Sequence, residues 1–294
     1  MSHGSLPTHW RLRTRCLDLP RPGGALRRPL VMGIVNVTPD SFSDGGRHAG
    51  VEAAVAHGLA LVAAGADILD VGGESTRPFA EPVAEAEELR RVAEVVRRLA
   101  AEAGVPVSID TSKAAVAERA LDLGAEIIND VTGLEGDPRM TAVARASGAG
   151  VVAMHMRGTP RTMQLDPRYD DVVAEIHAYL AARRDALEAE GIPRERLCLD
   201  PGIGFGKTHE HNVALMGGAG RFLDLGVPIL VGHSRKGFLG KLVERAFGRA
   251  ATEADRDAAT AGAACGLADH GIQIVRVHAV GLVRTALEAF AALR

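Results

Sequence analysis

Eight short runs of apolar residues recur along the chain, and each interval between neighbouring runs is long enough to hold a helix. The runs are rich in Val, Ile and Leu and lack polar alternation, which is typical of parallel strands buried on both faces. They cover residues 30–35, 67–71, 107–109, 126–128, 151–154, 197–199, 229–231 and 274–277. The pattern therefore predicts eight buried strands.

The longer segments between these runs carry helical periodicity, clearest in residues 84–103 and 171–190, where apolar positions fall on one face. Eight strand-then-helix units predict an α/β fold, a single-domain (β/α)8 TIM barrel over residues 29–294. We treat residues 1–28 as an N-terminal extension and expect a strand pair around Trp10 to close the bottom of the barrel. A doubly wound sheet is the alternative, but no Gly-x-Gly-x-x-Gly follows the first run.

Polar or charged residues follow nearly every predicted strand. In a barrel these positions converge on the C-terminal mouth, where active sites lie. Polar residues also end strands and cap helices, so a single one carries little information. The set consists of Asn36, Glu74, Asp110, Asn129, Asp130, His155, Asp200, His233, Ser234 and His278. Together they indicate a polar ligand with several hydrogen-bonding edges.

Composition narrows the possible partners. The 294 residues are 47% hydrophobic with a formal net charge of −3, which favours neither a nucleic-acid surface nor a membrane surface. Three widely separated cysteines support neither a disulfide framework nor a zinc site, and no apolar run has the length of a membrane helix. We therefore expect a cytoplasmic protein. Only four of its 34 basic residues are lysines.

The segments at the strand ends are specific when taken together. They read GIVNVTPDSFSDGG (33–46), DVGGESTRP (70–78), SIDTSK (108–113), IINDVTG (127–133), MHMRGTP (154–160), DPGIGFGKTHEHN (200–212), GHSRKGFLG (232–240) and RVH (276–278). On these motifs the chain resembles the dihydropteroate synthases of the pterin-binding barrel family. The resemblance implies a transferase of folate biosynthesis, in which 4-aminobenzoate displaces diphosphate from (7,8-dihydropterin-6-yl)methyl diphosphate.

Some roles follow from residue chemistry, and the resemblance implies the others. Arg276 and His278 lie two apart on one strand, so both can face a diphosphate and neutralise its charge. The resemblance assigns pterin binding to Asp110, Asn129, Asp200 and Lys236, with Met154 and Phe205 in the same pocket. It also assigns Mg²⁺ and diphosphate binding to Asn36. Asp110 and Asp200 as metal ligands are the alternative. The predicted catalytic residues are Asp110, Lys236, Arg276 and His278.

Aminobenzoate carries a carboxylate, and Ser234 and Arg235 precede a predicted helix whose N-terminus suits an anion. We expect two mobile loops to cover this substrate and exclude water. Their residues are Phe42, Asp44, Thr76, Arg77, Pro78 and Phe79. The family is commonly dimeric, so we expect a homodimer. The Ala- and Gly-rich stretch 258–268 suits either that interface or a helix contact within the chain.

Two positions depart from the family pattern. Phe79 stands where Gly is usual, so we expect it to narrow the aminobenzoate pocket against larger sulfonamide mimics. Ala279 stands where Asp is usual, which removes a possible orienting partner. These departures leave a non-catalytic pterin-binding paralogue open as an alternative. A methyltetrahydrofolate-binding methyl carrier of the same barrel family, which would share the pterin-binding residues, is the other alternative. The segments at 234–236 and 276–278 argue against the methyl carrier, which needs no diphosphate site.

Overall fold

The computed structural model describes residues 6–20, 28–38, 46–77 and 80–293. Its strands are β1 (His9–Arg11), β2 (Cys16–Asp18), β3 (Leu30–Asn36), β4 (Ile68–Gly72), β5 (Val107–Asp110), β6 (Ile127–Asp130), β7 (Gly150–Met154), β8 (Leu197–Asp200), β9 (Leu230–Val231) and β10 (Ile274–Val277). Its α-helices are α1 (Gly46–Ala63), α2 (Glu85–Glu102), α3 (Ala114–Asp122), α4 (Met140–Ser147), α5 (Val172–Ala189), α6 (His209–Gly217), α7 (Gly237–Phe247), α8 (Glu253–Asp269) and α9 (Val280–Ala292). Two 3₁₀ segments, Arg194–Arg196 and Ala219–Leu225, precede β8 and β9.

Strands β3 to β10 form one parallel sheet in the order β8-β7-β6-β5-β4-β3-β10-β9. Its two ends meet, because the Leu199 N–H donates to Pro228 O at 2.9 Å and Leu199 forms a parallel bridge with Ile229. The predicted (β/α)8 barrel is therefore confirmed. Each predicted apolar run coincides with one of these strands to within two residues at either end.

The helices form where the apolar periodicity predicts them and end at local signals. Asp171 caps α5, since its carboxylate accepts from the N–H groups of Val173 and Ala174, both at 3.0 Å. Gly148 ends α4 with φ +69°, in the left-handed region that favours glycine. Within the described ranges, none of the helices combines the length and the apolar character needed to cross a membrane.

The bottom of the barrel is closed by the antiparallel pair β1 and β2. Trp10 is fully buried there, and its Nε1–H donates to Arg196 O at 2.9 Å. Together with Leu12 and Leu19 it packs on the lower interior layer of the barrel, which comprises Leu30, Met32, Ile68, Ile127, Val152, Cys198, Leu230 and Ile274. The expected strand pair is therefore present, while the domain boundary at residue 28 stays a prediction.

The Ala- and Gly-rich stretch lies in α8 and packs within the chain. Ala261, Ala264 and Leu267 are buried, and the Cys265 thiol donates to Ala286 O of α9 at 3.6 Å. Small side chains let α8 approach its neighbours closely. The helix contact within the chain, one of the two alternatives, is therefore observed, and the homodimer stays a prediction.

Candidate active site

The interior of the barrel, just below its C-terminal mouth, carries two buried carboxylates joined by one guanidinium. Arg276 of β10 donates from Nε to Asp70 Oδ2 and from Nη2 to Asp110 Oδ2, each at 2.6 Å. Asp70 is completely buried, and the side chain of Asp110 is 9% exposed. Charge-assisted bonds of this length fix the guanidinium in one orientation. The structure thus unites two predicted residues with Asp70, which sequence reasoning did not assign to the site.

The pKa values of Asp110 and Arg276 in this cluster differ from those of free side chains. Burial raises the pKa of Asp110 to about 7, with Arg276 opposing the rise and the negative charge of Asp70 adding to it. The same two carboxylates raise the pKa of Arg276 above its usual value despite burial, so it stays charged. One carboxyl of the cluster therefore titrates near neutral pH beside a permanent cation.

Asn129 and Asp200 complete the polar interior. Asn129 donates from Nδ2 to Asp70 Oδ2 at 3.0 Å, which leaves its carbonyl oxygen to accept from a ligand. Asp200 ends β8, and burial raises its pKa, although the Gly202 N–H donates to Oδ1 at 2.7 Å. Asp70 thus orients an amide and a guanidinium through one oxygen. Its other oxygen, Oδ1, is buried without a hydrogen-bond partner among the described residues.

Lys236 and the loop after β8 form one wall of the mouth. The Lys236 ammonium donates to Ile203 O and lies 4.2 Å from the centre of the Phe205 ring. Burial lowers its pKa to about 7, with the charge of Asp200 opposing the shift. Met154 ends β7 beside Asp200 and is 3% exposed. The residues predicted to bind the pterin therefore all lie around the barrel interior, near its C-terminal mouth.

The loop after β8 is held close to the loop after β7. Gly202 has φ +68°, and a Cβ there would lie 1.9 Å from His155 O, so only glycine fits. Lys207 is 2% exposed, donates to Phe205 O at 2.8 Å and lies 3.1 Å from His155 Nδ1. Burial lowers its pKa well below the usual value. Lys207 thus fixes the backbone that carries Phe205.

A family model described as pterin binding enzyme matches residues 32–278, a range that begins within β3 and ends just after β10. The chain belongs to the pterin-binding enzyme family. A dihydropteroate synthase of Neisseria meningitidis serogroup B is 44% identical over 273 residues, covering 91% of this chain and 94% of that protein.

Solved structures that are similar to this chain are also dihydropteroate synthases. The chain is similar to a Xanthomonas albilineans dihydropteroate synthase with 4-aminobenzoic acid, at 45% identity and a TM-score of 0.87, covering 97% of this chain and 98% of that one. A Xanthomonas albilineans structure in complex with 7,8-dihydropteroate gives 43% identity and a TM-score of 0.84, with the same coverage.

In this pterin-binding enzyme, His278 directly follows β10 and is a neutral group. Its Nδ1 lies 3.0 Å from Ser234 Oγ, and its backbone N–H donates to the same oxygen at 3.2 Å. Burial, followed by the nearby charges of Arg235 and Arg276, lowers the pKa of His278 to about 4. The predicted pair at 276 and 278 thus offers one cation and one imidazole N–H.

Arg235 turns away from the barrel interior. It has φ +57°, its N–H donates to Thr260 Oγ1 at 3.1 Å, and its guanidinium pairs with Asp257 at 2.6 and 2.8 Å. Glu253 makes a third contact at 2.7 Å. The predicted helix begins directly after Lys236, so the first N–H groups of α7 have no partners within the helix. The sequence predicts an anion site at that N-terminus, and both this site and the role of the Arg235 side chain stay predictions.

The covering loops are described in part. Thr76 is half-buried and Arg77 is exposed, and the charge of Arg77 contributes to lowering the pKa of His278, so this loop lies near His278. The predicted loop residues Phe42, Asp44, Pro78 and Phe79 lie outside the described residues. The expected effect of Phe79 stays a prediction. Ala279 is the N-cap residue of α9, without a side chain that could cap it.

Asn36, the predicted magnesium ligand, has one side-chain oxygen that could bind an ion. It ends β3, is half-buried and pairs with Gly72. Across the described parts of the chain, no group of three or more His, Cys, Asp or Glu side chains could hold a metal ion. Mg²⁺ is commonly held by one or two protein ligands together with substrate phosphates and water. The residues present therefore fit an ion whose remaining ligands come from the diphosphate.

Proposed function

We propose that this chain is a dihydropteroate synthase, which condenses (7,8-dihydropterin-6-yl)methyl diphosphate with 4-aminobenzoate to give 7,8-dihydropteroate and diphosphate. The observation that carries the proposal is the buried cluster of Asp70, Asp110, Asn129 and Arg276 in a chain of the pterin-binding enzyme family. Its carboxylates and amide suit the donor edge of a pterin. The similarity to dihydropteroate synthases over nearly the whole chain supports the same reaction.

The pterin is bound through its hydrogen-bonding edge. The ring offers donors beside a carbonyl, so Asp110, Asp200 and the Asn129 oxygen accept from it, and Lys236 donates to its carbonyl. Met154 and Phe205 pack against the ring. A pterin surrounded in this way projects its methyl diphosphate toward Arg276, His278 and Asn36 at the mouth.

In the reaction, the bond between the methylene carbon and the diphosphate oxygen breaks and gives a carbocation-like methylene. The carboxylate of Asp110 stabilises this positive charge. Arg276 and the His278 N–H stabilise the departing diphosphate. When bound at Asn36, Mg²⁺ would neutralise further charge on its oxygens. The aminobenzoate nitrogen then forms the new carbon–nitrogen bond, and its proton passes to solvent.

The second substrate is held from the outside of the mouth. Its carboxylate lies at the N-terminus of α7, where the free N–H groups and Ser234 donate to it. Thr76 and Arg77 of the loop after β4 cover its ring, with Phe42, Asp44, Pro78 and Phe79 completing the cover. Exclusion of water prevents hydrolysis of the reactive methylene.

The test is release of diphosphate by the purified full chain with Mg²⁺, measured with and without 4-aminobenzoate. We expect release that depends on aminobenzoate, and a loss of at least about 100-fold in kcat for Asp110→Asn, since this variant loses the charge that stabilises the methylene. Glu118→Gln, a change on α3 far from these contacts, is the matched control. Pterin binding without turnover would indicate the non-catalytic paralogue, and binding of methyltetrahydrofolate without diphosphate release would indicate the methyl carrier.

We also propose that the enzyme acts in the cytoplasm as a homodimer. The family resemblance supports the dimer, and the free thiols of Cys16, Cys198 and Cys265 suit a reducing compartment. Light scattering on the purified chain measures the oligomeric state directly, and a monomer at micromolar concentration would contradict the dimer.

A further inference from the structure

A cluster of three charged side chains lies beside the candidate site and takes no part in the proposed reaction. Lys113, the N-cap residue of α3, donates from Nζ to Glu74 Oε2 and to Glu88 Oε2, the latter at 2.5 Å. Glu88 belongs to α2 and is completely buried, whereas Lys113 and Glu74 are each 23% exposed. One ammonium therefore joins the loop after β4 to two different helices.

The burial of Glu88 makes Lys113 difficult to replace. Burial raises the pKa of Glu88, and the hydrogen bond from Lys113 opposes the rise because it favours the carboxylate. Removing one partner of a buried ion pair leaves an uncompensated charge and strongly destabilises the fold. A single substitution of Lys113 therefore changes both the folding stability and the loop, and cannot separate the two.

The loop after β4 is held firmly at its root and less firmly beyond it. Arg91 donates to Gly73 O at 2.9 Å, and a Cβ at Gly73 would lie 2.7 Å from Val92, so residue 73 rests directly on α2. Glu74 follows, bound to Lys113. Two residues later the chain reaches Thr76 and then Arg77, which is exposed. The ion pair at Glu74 is thus an anchor immediately before the substrate-facing segment.

We propose that Glu74, Glu88 and Lys113 form a positioning triad that fixes the loop carrying Thr76 and Arg77, and so determines the affinity for 4-aminobenzoate rather than for the pterin. The pterin-binding side chains have ties of their own, since Asp70 holds Arg276 and Asn129. The triad touches no reacting atom. This inference rests on the proposed function, because it names the second substrate of that reaction.

A pair of variants isolates the tie between Lys113 and Glu74. Glu88→Gln removes the buried charge and leaves that tie in place. Adding Lys113→Met then removes the tie without leaving a buried charge uncompensated. Both variants lack the charge of Glu88, which contributes to the raised pKa of Asp110, so this contribution is absent on both sides of the comparison.

The readout is the KM for each substrate in the diphosphate-release assay. The double variant should raise the KM for 4-aminobenzoate about tenfold relative to Glu88→Gln, because small misplacement of a positioning segment has effects of this size. The KM for the pterin diphosphate should stay within about twofold. Glu74→Ala on the Glu88→Gln background should reproduce the same rise, because it removes the tie from the loop side.

Two results would overturn the proposal. One is an equal KM for 4-aminobenzoate in the single and double variants, and the other is a parallel rise in both KM values. Failure of the proposed function is distinguishable, since it would appear in the unmodified chain as diphosphate release that does not respond to aminobenzoate. Equal KM values in the variants of an active parent would contradict only the triad.

Discussion

Replacing Asp70 by Asn should impair catalysis although Asp70 contacts neither substrate in the proposed mechanism. Its Oδ2 accepts from Arg276 Nε at 2.6 Å and from Asn129 Nδ2 at 3.0 Å, so one buried oxygen orients two residues of the site. The substitution keeps the shape of the side chain and removes its charge. Among the described residues, Arg276 then keeps Asp110 alone as an ion-pair partner.

The magnitude follows from the bonds that are weakened. A hydrogen bond to a charged group contributes about 1.5–3 kcal/mol, and removing one partner of a fully buried pair costs about 3–5 kcal/mol. The lower range applies, because Arg276 is 20% exposed and retains Asp110, and because an amide oxygen can still accept. A loss of about 2 kcal/mol in transition-state stabilisation lowers kcat/KM roughly 30-fold.

The pH dependence of kcat/KM gives a second, independent test of the role of Asp70. The negative charge of Asp70 contributes to raising the pKa of Asp110 to about 7, so its removal lowers that pKa. Activity that requires the Asp110 carboxylate is lost as pH falls through this pKa. The acid limb of the kcat/KM profile should therefore move to lower pH in Asp70→Asn.

The assay is diphosphate release across the pH range, with thermal unfolding as a check that the variant is folded. Ser108→Ala is the matched control. Ser108 is equally buried, pairs with Asp70 in the sheet and has an Oγ without a hydrogen-bond partner among the described residues, so its loss should leave kcat/KM unchanged. A kcat/KM for Asp70→Asn within twofold of the parent, or an acid limb moved to higher pH, would refute the reasoning.

Two further predictions concern the free enzyme and the barrel bottom. The kcat/KM of the parent should fall on both sides of neutral pH, because Asp110 gains a proton below about 7 and Lys236, whose pKa burial lowers to about 7, loses one above it; a flat profile between about pH 6 and 8 would contradict these roles. Trp10→Ala should lower the free energy of unfolding in urea by about 3–5 kcal/mol, because it empties a fully buried site. Leu17→Ala, on the partly exposed strand opposite, should lower it clearly less, and equal losses would contradict the role of Trp10 in closing the barrel bottom.

The sequence predicts the barrel well because its strands are buried on both faces. An uninterrupted apolar run such as 151–154 is favoured in a strand that is buried on both faces, and the glycine at position 148 marks a helix end through its left-handed conformation. The strand pair around Trp10 is harder to predict from pattern alone. Strands β1 and β2 have three residues each, and their pairing depends on burial of Trp10 against a layer that exists only after the barrel closes.

The site is predicted less completely, for a physical reason. Strand-end positions such as Asp110 and Asn129 can be found from sequence because polar residues there break an apolar pattern at its edge. Asp70 lies inside its strand, and its role depends on Arg276, which is 206 positions away along the chain. The only available signal was a charged residue within an apolar run. The direction of the Arg235 side chain depends on Asp257 of α8 and could not be predicted from the residues around it.

The few lysines of this chain illustrate how burial selects between the two basic side chains. The ammonium groups of Lys113 and Lys207 each contact at least two acceptor atoms that lie close together. A compact ammonium fits this arrangement, whereas a planar guanidinium does not. Lys113 has carboxylate partners, so its charge is balanced. Lys207 has a ring nitrogen and carbonyl oxygens as partners at 2% exposure, and burial lowers its pKa. An ammonium can lose its proton there, whereas an arginine would remain charged and unpaired at a cost of several kcal/mol. Position 207 therefore favours lysine over arginine, and the contacts of its Nζ with His155 Nδ1, His155 O and Phe205 O fix the loop that carries Phe205.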